Sequence, residues 1–299
     1  MSLVVLGTVA LDTVKTPRGK RRNMLGGSAA HLAMAARFFT PVNLVAVVGK
    51  DFPLSHIDFL RRKGLILTSL KKESGRTFRW EGEYKGDMNA ALTLNTELGV
   101  LSAFHPELSD EEKRMKYIFL ANLDPDIQSR LLDSIHSPKL VALDSMNYWI
   151  RHKRRPLLGL LKRVDIFVAN DAEARELSGK HSLLDAARKL RRFGPKMILI
   201  KKGEHGVLFY ADNLCFSLPA YPVTKLVDPT GAGDSFAGGF IGYLTKVKTI
   251  NKQAIKKAIA YGTVIASFNV EGFGLERTAE LTFKEIGARL KSYRRNLSL

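Results

Sequence analysis

Short apolar runs alternate with helical patterns along most of the chain. Apolar runs of strand length cover residues 3–8, 42–48, 117–120, 140–143, 166–169 and 197–200. Patterns typical of helices cover residues 27–39, 53–63, 126–135, 156–162, 183–193 and about 235–244. This alternation predicts an α/β fold, with a mostly parallel central sheet and helices on both faces. Such sheets bind ligands at the carboxyl ends of their strands.

Two polar segments interrupt this alternation. Residues 13–25 are basic and contain turn signals at Pro17 and Gly19, whereas residues 75–95 alternate aromatic and polar side chains. Both patterns are typical of β-hairpins that lie outside the main sheet. We therefore expect a single domain over residues 1–299, with a small β lid formed by these two insertions.

The composition limits the classes of protein to consider. The chain has 299 residues, of which 45% are hydrophobic, and one cysteine, Cys215. A single cysteine excludes an intrachain disulfide and a cysteine-rich metal site, and no apolar run has the length of a transmembrane helix. Residues 2–9 are interpreted as a buried strand and not as a signal peptide, so we expect a cytoplasmic protein without a membrane partner.

The net charge of +18 raises the question of a polyanionic partner. The basic residues form scattered clusters, several of them at helical spacing, which favours solvated helix faces. No helix-turn-helix, zinc-finger or aromatic RNA-binding signature accompanies them. A basic nucleic-acid-binding protein on an inactive scaffold is therefore kept only as the alternative from another functional class.

The segment 228–240 carries the strongest chemical signal. Gly231, Ala232 and Gly233 are small, so an anion can approach their backbone amides closely. A helix that begins after them directs its positive end at the same place. Asp234 lies at this junction and can accept a proton beside the predicted anion hole, as phosphoryl transfer to a hydroxyl requires. The structural alternative is a tight turn followed by a helix-capping Asp.

The run Asp-Pro-Thr-Gly-Ala-Gly-Asp-Ser-Phe at the start of this segment resembles the C-terminal signature of the ribokinase-like (PfkB) carbohydrate kinase family. Four motifs occur in the family's order between Gly7 and Phe240. The resemblance implies a ribokinase-like fold and ATP-dependent transfer of the γ-phosphoryl group to a hydroxyl of a small carbohydrate, with Mg²⁺. It makes Asp234 the base and the amides of residues 231–233 the anion hole.

The resemblance also implies an acceptor site. Asp12, at the end of the first predicted strand, and the pair Gly26-Gly27 stand where the family binds its sugar. His31 occupies a position at which the family usually has Asn. Asp124 stands where relatives have a sugar-contacting acid.

Nucleotide-binding residues are implied farther along the chain. Asn170 and Glu173 match the family's Asn-x-x-Glu motif, which organises magnesium and the ATP phosphates mostly through water, although the same residues also fit a helix capping box. The turn that follows residue 200 is similar to one that lies along the nucleotide. The residues expected to bind ATP are Asn170, Glu173, Lys201, Gly203, Gly206, Thr230, Asn269 and Gly272, and Asp228 is the expected ligand of a monovalent cation such as K⁺.

The acceptor remains open among three classes of molecule. A free sugar is the first choice by resemblance. A nucleoside is the second, because Phe78, Trp80 and Tyr84 can stack on a base, and a sugar phosphate is the third because residues 15–22 are basic. Lid strands often pair between subunits in this family, so the resemblance also implies a homodimer.

Overall fold

The computed structural model describes residues 1–297 and contains two separate β-sheets. The strands are β1 (Leu3–Leu6), β2 (Ala10–Thr16), β3 (Gly19–Gly26), β4 (Val42–Gly49), β5 (Leu65–Ile66), β6 (Leu70–Glu73), β7 (Arg79–Tyr84), β8 (Ala91–Glu97), β9 (Tyr117–Leu120), β10 (Leu140–Asp144), β11 (Ile166–Asn170), β12 (Met197–Lys201), β13 (Val207–Ala211) and β14 (Leu214–Leu218).

The helices, in chain order, are α1 (Ser28–Ala36), α2 (Leu54–Arg62), α3 (Asp110–Lys113), α4 (Pro125–Ser134), α5 (Asn147–His152), α6 (Arg154–Leu161), α7 (Asp171–Ser178), α8 (Leu183–Arg191), α9 (Ala232–Lys246), α10 (Lys252–Asn269), α11 (Glu276–Glu280) and α12 (Phe283–Leu297). Among residues 1–297, no helix combines the length and the apolar character that crossing a membrane requires.

The main sheet has the strand order β14-β13-β12-β11-β10-β9-β1-β4-β5, and β6 also pairs with β4. Its strands from β12 across to β5 are parallel, whereas β13 and β14 are antiparallel additions at one edge. The predicted, mostly parallel sheet is therefore confirmed.

Helices cover both faces of this sheet. Along β1, Leu3 and Val5 pack in one core with residues of α1, α9 and α10, while Val4 and Leu6 pack in a second core with residues of α4, α6 and α8. Because both faces are buried, successive residues of a strand must all be apolar. This is why the central strands were recognisable as continuous apolar runs.

The second sheet has the order β3-β2-β7-β8 and lies outside the main sheet. Each predicted insertion forms an antiparallel hairpin, and β2 pairs with β7 in parallel. We call this four-stranded sheet the lid sheet. The prediction that Asp12 ends the first strand was wrong: β1 ends at Leu6, and Asp12 lies on β2, paired with Met24 and Trp80. The first hairpin begins earlier than predicted because Ala10 already pairs with Gly26.

Two boundaries near the C-terminus also differ from the sequence analysis. Helix α9 begins at Ala232, whereas the pattern predicted a start at residue 235. Helix α10 was not predicted, because residues 246–257 were interpreted as a basic cluster. In the structure Ala254 and Ile255 are buried between those lysines.

Candidate active site

The carboxyl ends of three neighbouring parallel strands bring polar residues to one edge of the main sheet. Asp144 ends β10, Asn170 ends β11 and Lys201 ends β12. The N-terminus of α9 faces the same edge, since a Cβ atom added to Gly233 would lie 2.7 Å from the Lys201 Nζ atom. The topology thus assembles charged and polar side chains at one edge from residues far apart in sequence.

Residues 228–233 lie just before and at the start of α9, and we call this segment the anion loop because the amides of residues 231–233 were predicted to form the anion hole. Gly231 adopts a left-handed conformation with φ of 73°, and the first helical bond runs from the Ser235 amide to the Gly231 carbonyl at 2.8 Å. The helix therefore does not use the amides of residues 232–234. The Ala232 amide donates to the Pro229 carbonyl at 3.1 Å, so the three predicted donors are not equivalent, and Ala232 is engaged within the loop.

Asp234 lies in the first turn of α9 within a group of interacting charges. Burial raises the pKa of its carboxyl group, and the charges of Lys201 and His31 act in the opposite direction. A general base works best when its pKa lies near the operating pH. Burial therefore moves Asp234 in the direction that suits proton acceptance, while Lys201 favours the ionised form.

Asp144 is a site residue that the sequence analysis missed. Burial raises the pKa of its carboxyl group well above the ordinary value, and the charge of Asp234 acts in the same direction, while Lys201 opposes it. Its Oδ1 atom is buried and has no hydrogen-bond partner within residues 1–297. The sequence signal for it was its place at the end of an apolar strand, and in the sheet this strand pairs with the one that ends in Asn170.

Asn170 and Glu173 form a complete capping box at the start of α7. The Glu173 amide donates to Asn170 Oδ1 at 2.8 Å, and the Asn170 amide donates to Glu173 Oε2 at 2.7 Å. Burial raises the pKa of Glu173 to about 6, opposed by the charge of Lys201. The structural interpretation of this motif is thus correct, and Glu173 also lies within the electrostatic reach of Lys201 and Asp234.

Most of the residues that were expected to bind the acceptor lie where the lid sheet meets α1, and we call this place the acceptor side. The Gly27 amide donates to Asp12 Oδ2 at 3.1 Å. Gly27 has φ of 93°, and a side chain at this position would collide with the Thr8 carbonyl, so only glycine fits here. Burial raises the pKa of Asp12 to about 7, and the charges of Asp228 and Asp234 add to this. Asp12 is therefore close enough to Asp234 for the two carboxylates to repel each other.

Asp228 is fully buried and holds the anion loop to the segment that follows α10. Its Oδ1 accepts the Thr230 amide at 2.9 Å, and its Oδ2 accepts the Gly274 amide at 3.0 Å. These two bonds account for the carboxylate within the protein alone. In the described part of the chain, no group of three or more His, Cys, Asp or Glu side chains is arranged to hold a metal ion.

Comparison with known proteins agrees with this geometry. The profile of the pfkB family carbohydrate kinases matches residues 3–280. The chain belongs to this family. A cytidine kinase from Thermococcus kodakarensis is 34% identical over 250 residues, which are 81% of this chain and 88% of the relative. As a member of the pfkB family, the protein is a phosphotransferase that acts on a hydroxyl group, as the sequence analysis predicted.

Solved structures of the ribokinase family share the fold. A Methanocaldococcus jannaschii nucleoside kinase has a TM-score of 0.79 at 20% identity and covers 97% of this chain and 98% of its own. A candidate ribokinase II from E. coli, solved with ATP and Mg²⁺, has a TM-score of 0.79 at 18% identity, with coverage of 97% and 99%. At these identities the comparison establishes the ribokinase-like fold.

Several other residues that the pfkB resemblance assigned make local contacts within the protein. Asp124 caps α4 by accepting the Asp126 amide at 2.8 Å, and its carboxylate lies 3.5 Å from Lys153. Gly203 and Gly206 form the turn after β12. Gly272 donates its amide to the Asn269 carbonyl at 3.4 Å.

Asn269 was expected to bind ATP, but its side chain is fully buried behind the anion loop and contacts other protein groups. Its Nδ2 donates to the Thr230 carbonyl at 2.8 Å. Its Oδ1 accepts a hydrogen bond from Ser235 Oγ at 2.9 Å and lies 3.1 Å from His31 Nδ1. With both amide atoms engaged, the side chain supports the loop rather than a nucleotide.

The second lid hairpin reaches the same loop. The Tyr84 hydroxyl lies 3.4 Å from Thr230 Oγ1, and burial raises the pKa of Tyr84 to about 12. Asn89, at the tip of the hairpin, donates to Glu204 at 3.2 Å. Of the three aromatic residues considered as base-stacking groups, only Tyr84 touches the loop, because Trp80 packs on Gly82 within the lid sheet and Phe78 packs against the second core.

Proposed function

We propose that this pfkB family protein is an ATP-dependent nucleoside kinase with Asp234 as its base. The observation that carries the proposal is the position of Asp234, at the N-terminus of α9 and within reach of the Lys201 charge. The similarity to a cytidine kinase over 81% of the chain supports a nucleoside, ahead of a free sugar, as the acceptor.

In this proposal Asp234 accepts the proton of the attacking hydroxyl. Lys201 and the positive end of α9 stabilise the charge on the transferring phosphoryl group. The transition state of phosphoryl transfer is loose, so the alignment of the two reactants matters more than the strength of the base. Asp12 accepts hydrogen bonds from other hydroxyl groups of the acceptor and thereby orients it.

The residues present fit a magnesium ion that keeps several of its waters. Asp144 offers a buried carboxylate oxygen without a protein partner, and Glu173 offers a second carboxylate nearby. Magnesium is usually held by one or two carboxylates together with phosphates, which agrees with the absence of a three-residue cluster in residues 1–297. When bound, Mg²⁺ would neutralise phosphate charge, and Asp144 and Glu173 would hold it, mostly through water.

A pocket of about 200 Å³ is lined in part by Asp124, one of the residues expected to contact the acceptor. Tyr148 and Trp149 are two of the aromatic side chains in its wall. Asn122 connects this wall to the acceptor side, because its Oδ1 accepts from Trp149 Nε1 at 3.0 Å and its carbonyl accepts from Ser28 Oγ at 3.3 Å. Ser28 directly follows Gly27. Aromatic side chains beside the acceptor site are suited to stack on a nucleobase.

The test is ADP release with Mg-ATP against cytidine, other nucleosides, ribose and sugar phosphates. Turnover with a nucleoside, reduced by about a hundredfold or more in Asp234→Asn, is the expected result. Asp185→Asn is the matched control, since this exposed Asp occupies the first turn of α8. Turnover with ribose alone would make the protein a sugar kinase. Near-normal turnover of Asp234→Asn would refute the assigned base, and polyanion binding without turnover would favour the nucleic-acid alternative.

Three further expectations belong to the same proposal. Asp228 would be a ligand of K⁺, which a comparison of activity in K⁺ and in Na⁺ tests.

A homodimer would form through β8, an edge strand whose Leu92 and Leu94 are 55% and 50% exposed, because exposed edge strands favour pairing with a second chain. Sedimentation of the wild type and Leu94→Glu tests this pairing. The expected location is the cytoplasm.

A further inference from the structure

A buried chain of hydrogen bonds connects His31 on α1 to the anion loop. Asn269 lies in the middle of this chain, between His31, Ser235 and the carbonyl group of Thr230. Both His31 and Asn269 are at most 1% exposed. The connection joins α1, the end of α10 and the loop that precedes α9, although His31 and Asn269 are 238 positions apart in sequence.

The hydrogen-bond partners determine which ring nitrogen of His31 carries the proton. The Thr230 carbonyl can only accept, so the amide nitrogen of Asn269 must face it, and Asn269 Oδ1 must face His31 and Ser235. His31 Nδ1 therefore donates to Asn269 Oδ1 at 3.1 Å. Burial lowers the pKa of His31, against the charge of Asp234, and so favours the neutral ring. His31 Nε2 is then an acceptor, and it has no hydrogen-bond partner in the described structure.

The ring of His31 also packs directly against the anion loop. A Cβ atom added to Gly231 would overlap three ring atoms of His31, Nδ1 among them. Gly231 is thus seated on the ring, and Thr230, its neighbour, is held through Asn269. Together these contacts determine where the first amides of α9 point. A rigid supporting contact of this kind is what an electrostatically preorganised site needs.

We infer that His31 is a positioning residue for phosphoryl transfer, which acts through its Nδ1–H bond to Asn269 and holds the anion loop in place. The inference rests on the proposed kinase function, and it replaces the expectation that His31 contacts the acceptor. It assigns the positioning role of His31 to Nδ1, the atom that faces Asn269, and not to Nε2.

Two substitutions separate the two ring nitrogens. In Asn the amide nitrogen is bonded to Cγ, as Nδ1 is in His. His31→Asn therefore keeps a donor near Asn269 and removes Nε2. In Gln the amide lies one bond farther out, so His31→Gln keeps a polar atom near the Nε2 position and removes the donor at Nδ1. Thermal unfolding of each variant shows that the comparison is made between folded proteins.

Both substitutions remove the ring and only Asn keeps the donor, so we expect kcat of His31→Gln to be about tenfold to a hundredfold below that of His31→Asn, because misplacing a reacting group by about 1 Å costs on that order. The KM for the acceptor should stay within about threefold in both, since uniform substrate binding is not removed. The inference is overturned if Gln retains activity and Asn does not, if the acceptor KM rises while kcat is unchanged, or if both variants equal the wild type.

Two controls complement the single variants: a double-mutant cycle and an NMR measurement. In Asn269→Ala the bond partner is gone, so adding His31→Gln should cost little more, because two residues that act through one link are not additive. Additive losses would contradict the link. Nitrogen-15 NMR of the histidine rings, with His31 identified by its loss in His31→Asn, should show a protonated Nδ1. An unprotonated Nδ1 would overturn the inference even if no acceptor is turned over, and wild-type inactivity would count against the kinase proposal alone.

Discussion

The two sheets of this protein differ in how far their strands are buried. Strands β1, β4, β9 and β10 of the main sheet are buried at every residue, whereas six of the seven residues of β8 in the lid sheet are exposed. The main sheet is held by two apolar cores on its faces. In the lid sheet, Leu11 of β2 and Leu25 of β3 join the first core, and polar contacts such as Lys15 to Glu83 at 2.8 Å and Arg79 to Asp51 at 2.8 Å hold β7.

The main sheet therefore supplies most of the stability, whereas the lid sheet covers the site. Apolar burial supplies most of the free energy of folding, so the main sheet provides a fixed edge for Asp144 and Lys201. Ion pairs near the surface contribute little, so we expect β8, which is exposed along most of its length, to be held less firmly than the main sheet. The lid sheet contacts the anion loop through one hydrogen bond, between Tyr84 and Thr230, and the turn after β12 through another, from Asn89 to Glu204.

The largest expected effect comes from a large-to-small change in the main sheet. Phe119 on β9 is fully buried, so Phe119→Ala should lower the free energy of unfolding by about 3–5 kcal/mol. The lid control Leu94→Ala, at a residue that is 50% exposed, should change it by less than about 0.5 kcal/mol. Chemical denaturation measures both. Equal losses would show that the two sheets are equally important for stability.

The next effect concerns the edge of the main sheet. Lys201→Met should lower kcat by about a hundredfold, because a charge aimed at the transferring phosphoryl group is lost. Lys202→Met is the matched control, since Lys202 directly follows β12 and is also partly buried. Steady-state kinetics with the preferred acceptor decides the matter. Similar activity in the two variants would place Lys201 outside the reaction.

A third prediction concerns Asp12, the lid-sheet residue that faces the site. Its pKa is raised by burial from 3.8 to about 7, so between these pH values the folded protein holds a proton that the unfolded chain has lost. The contribution of Asp12 to stability therefore falls as the pH rises through this window. The melting temperature of Asp12→Asn should equal that of the wild type near pH 4. As the pH rises towards 8, it should exceed the wild-type value by a growing margin. A constant difference in melting temperature would contradict this.

Asp51, beside the lid sheet, provides the control of opposite sign. Although burial acts to raise it, hydrogen bonds from Thr77 and Arg79 lower the pKa of Asp51 to about 2. Its contribution to stability is present above the unfolded pKa and is lost as the pH falls towards 2. Asp51→Asn should therefore melt below the wild type at pH 8 and approach it in acid.

The smallest effect is expected at the contact between lid and loop. Tyr84→Phe removes one hydroxyl, which lies 3.4 Å from Thr230, and should lower kcat by about threefold or less, the size of one modest hydrogen bond. ATP hydrolysis without an acceptor should increase relative to transfer, because a looser cover admits water. Tyr210→Phe on β13 is the control. A loss as large as that of Lys201→Met would make the lid part of the catalytic apparatus.

The fold was largely predictable because burial on both faces leaves a continuous apolar run in each central strand. Helix α10 was not, because lysines at its start hide the buried positions of Ala254 and Ile255. The loop with Asp234 was predictable as well, since small residues and an acid follow each other directly in the chain.

The remaining site residues depend on contacts between distant parts of the chain. Asp144 has no local motif and gains its character from burial beside Asp234. The bond between His31 and Asn269 exists only once α1 and α10 are packed together. The sequence suggested a ligand-binding role for both of these residues, whereas the fold directs their side chains at each other.

In the proposed kinase, the first hairpin both covers the site and contributes Asp12 to acceptor binding. Strand β2 leaves the main sheet only three residues after β1, carries Asp12, and returns through β3 to Gly26 and Gly27. Exchanging this hairpin between relatives would therefore also exchange the residue at position 12, whose carboxyl group titrates. To change acceptor preference in this scaffold, the hairpin β2–β3 and the acceptor side therefore have to be redesigned together.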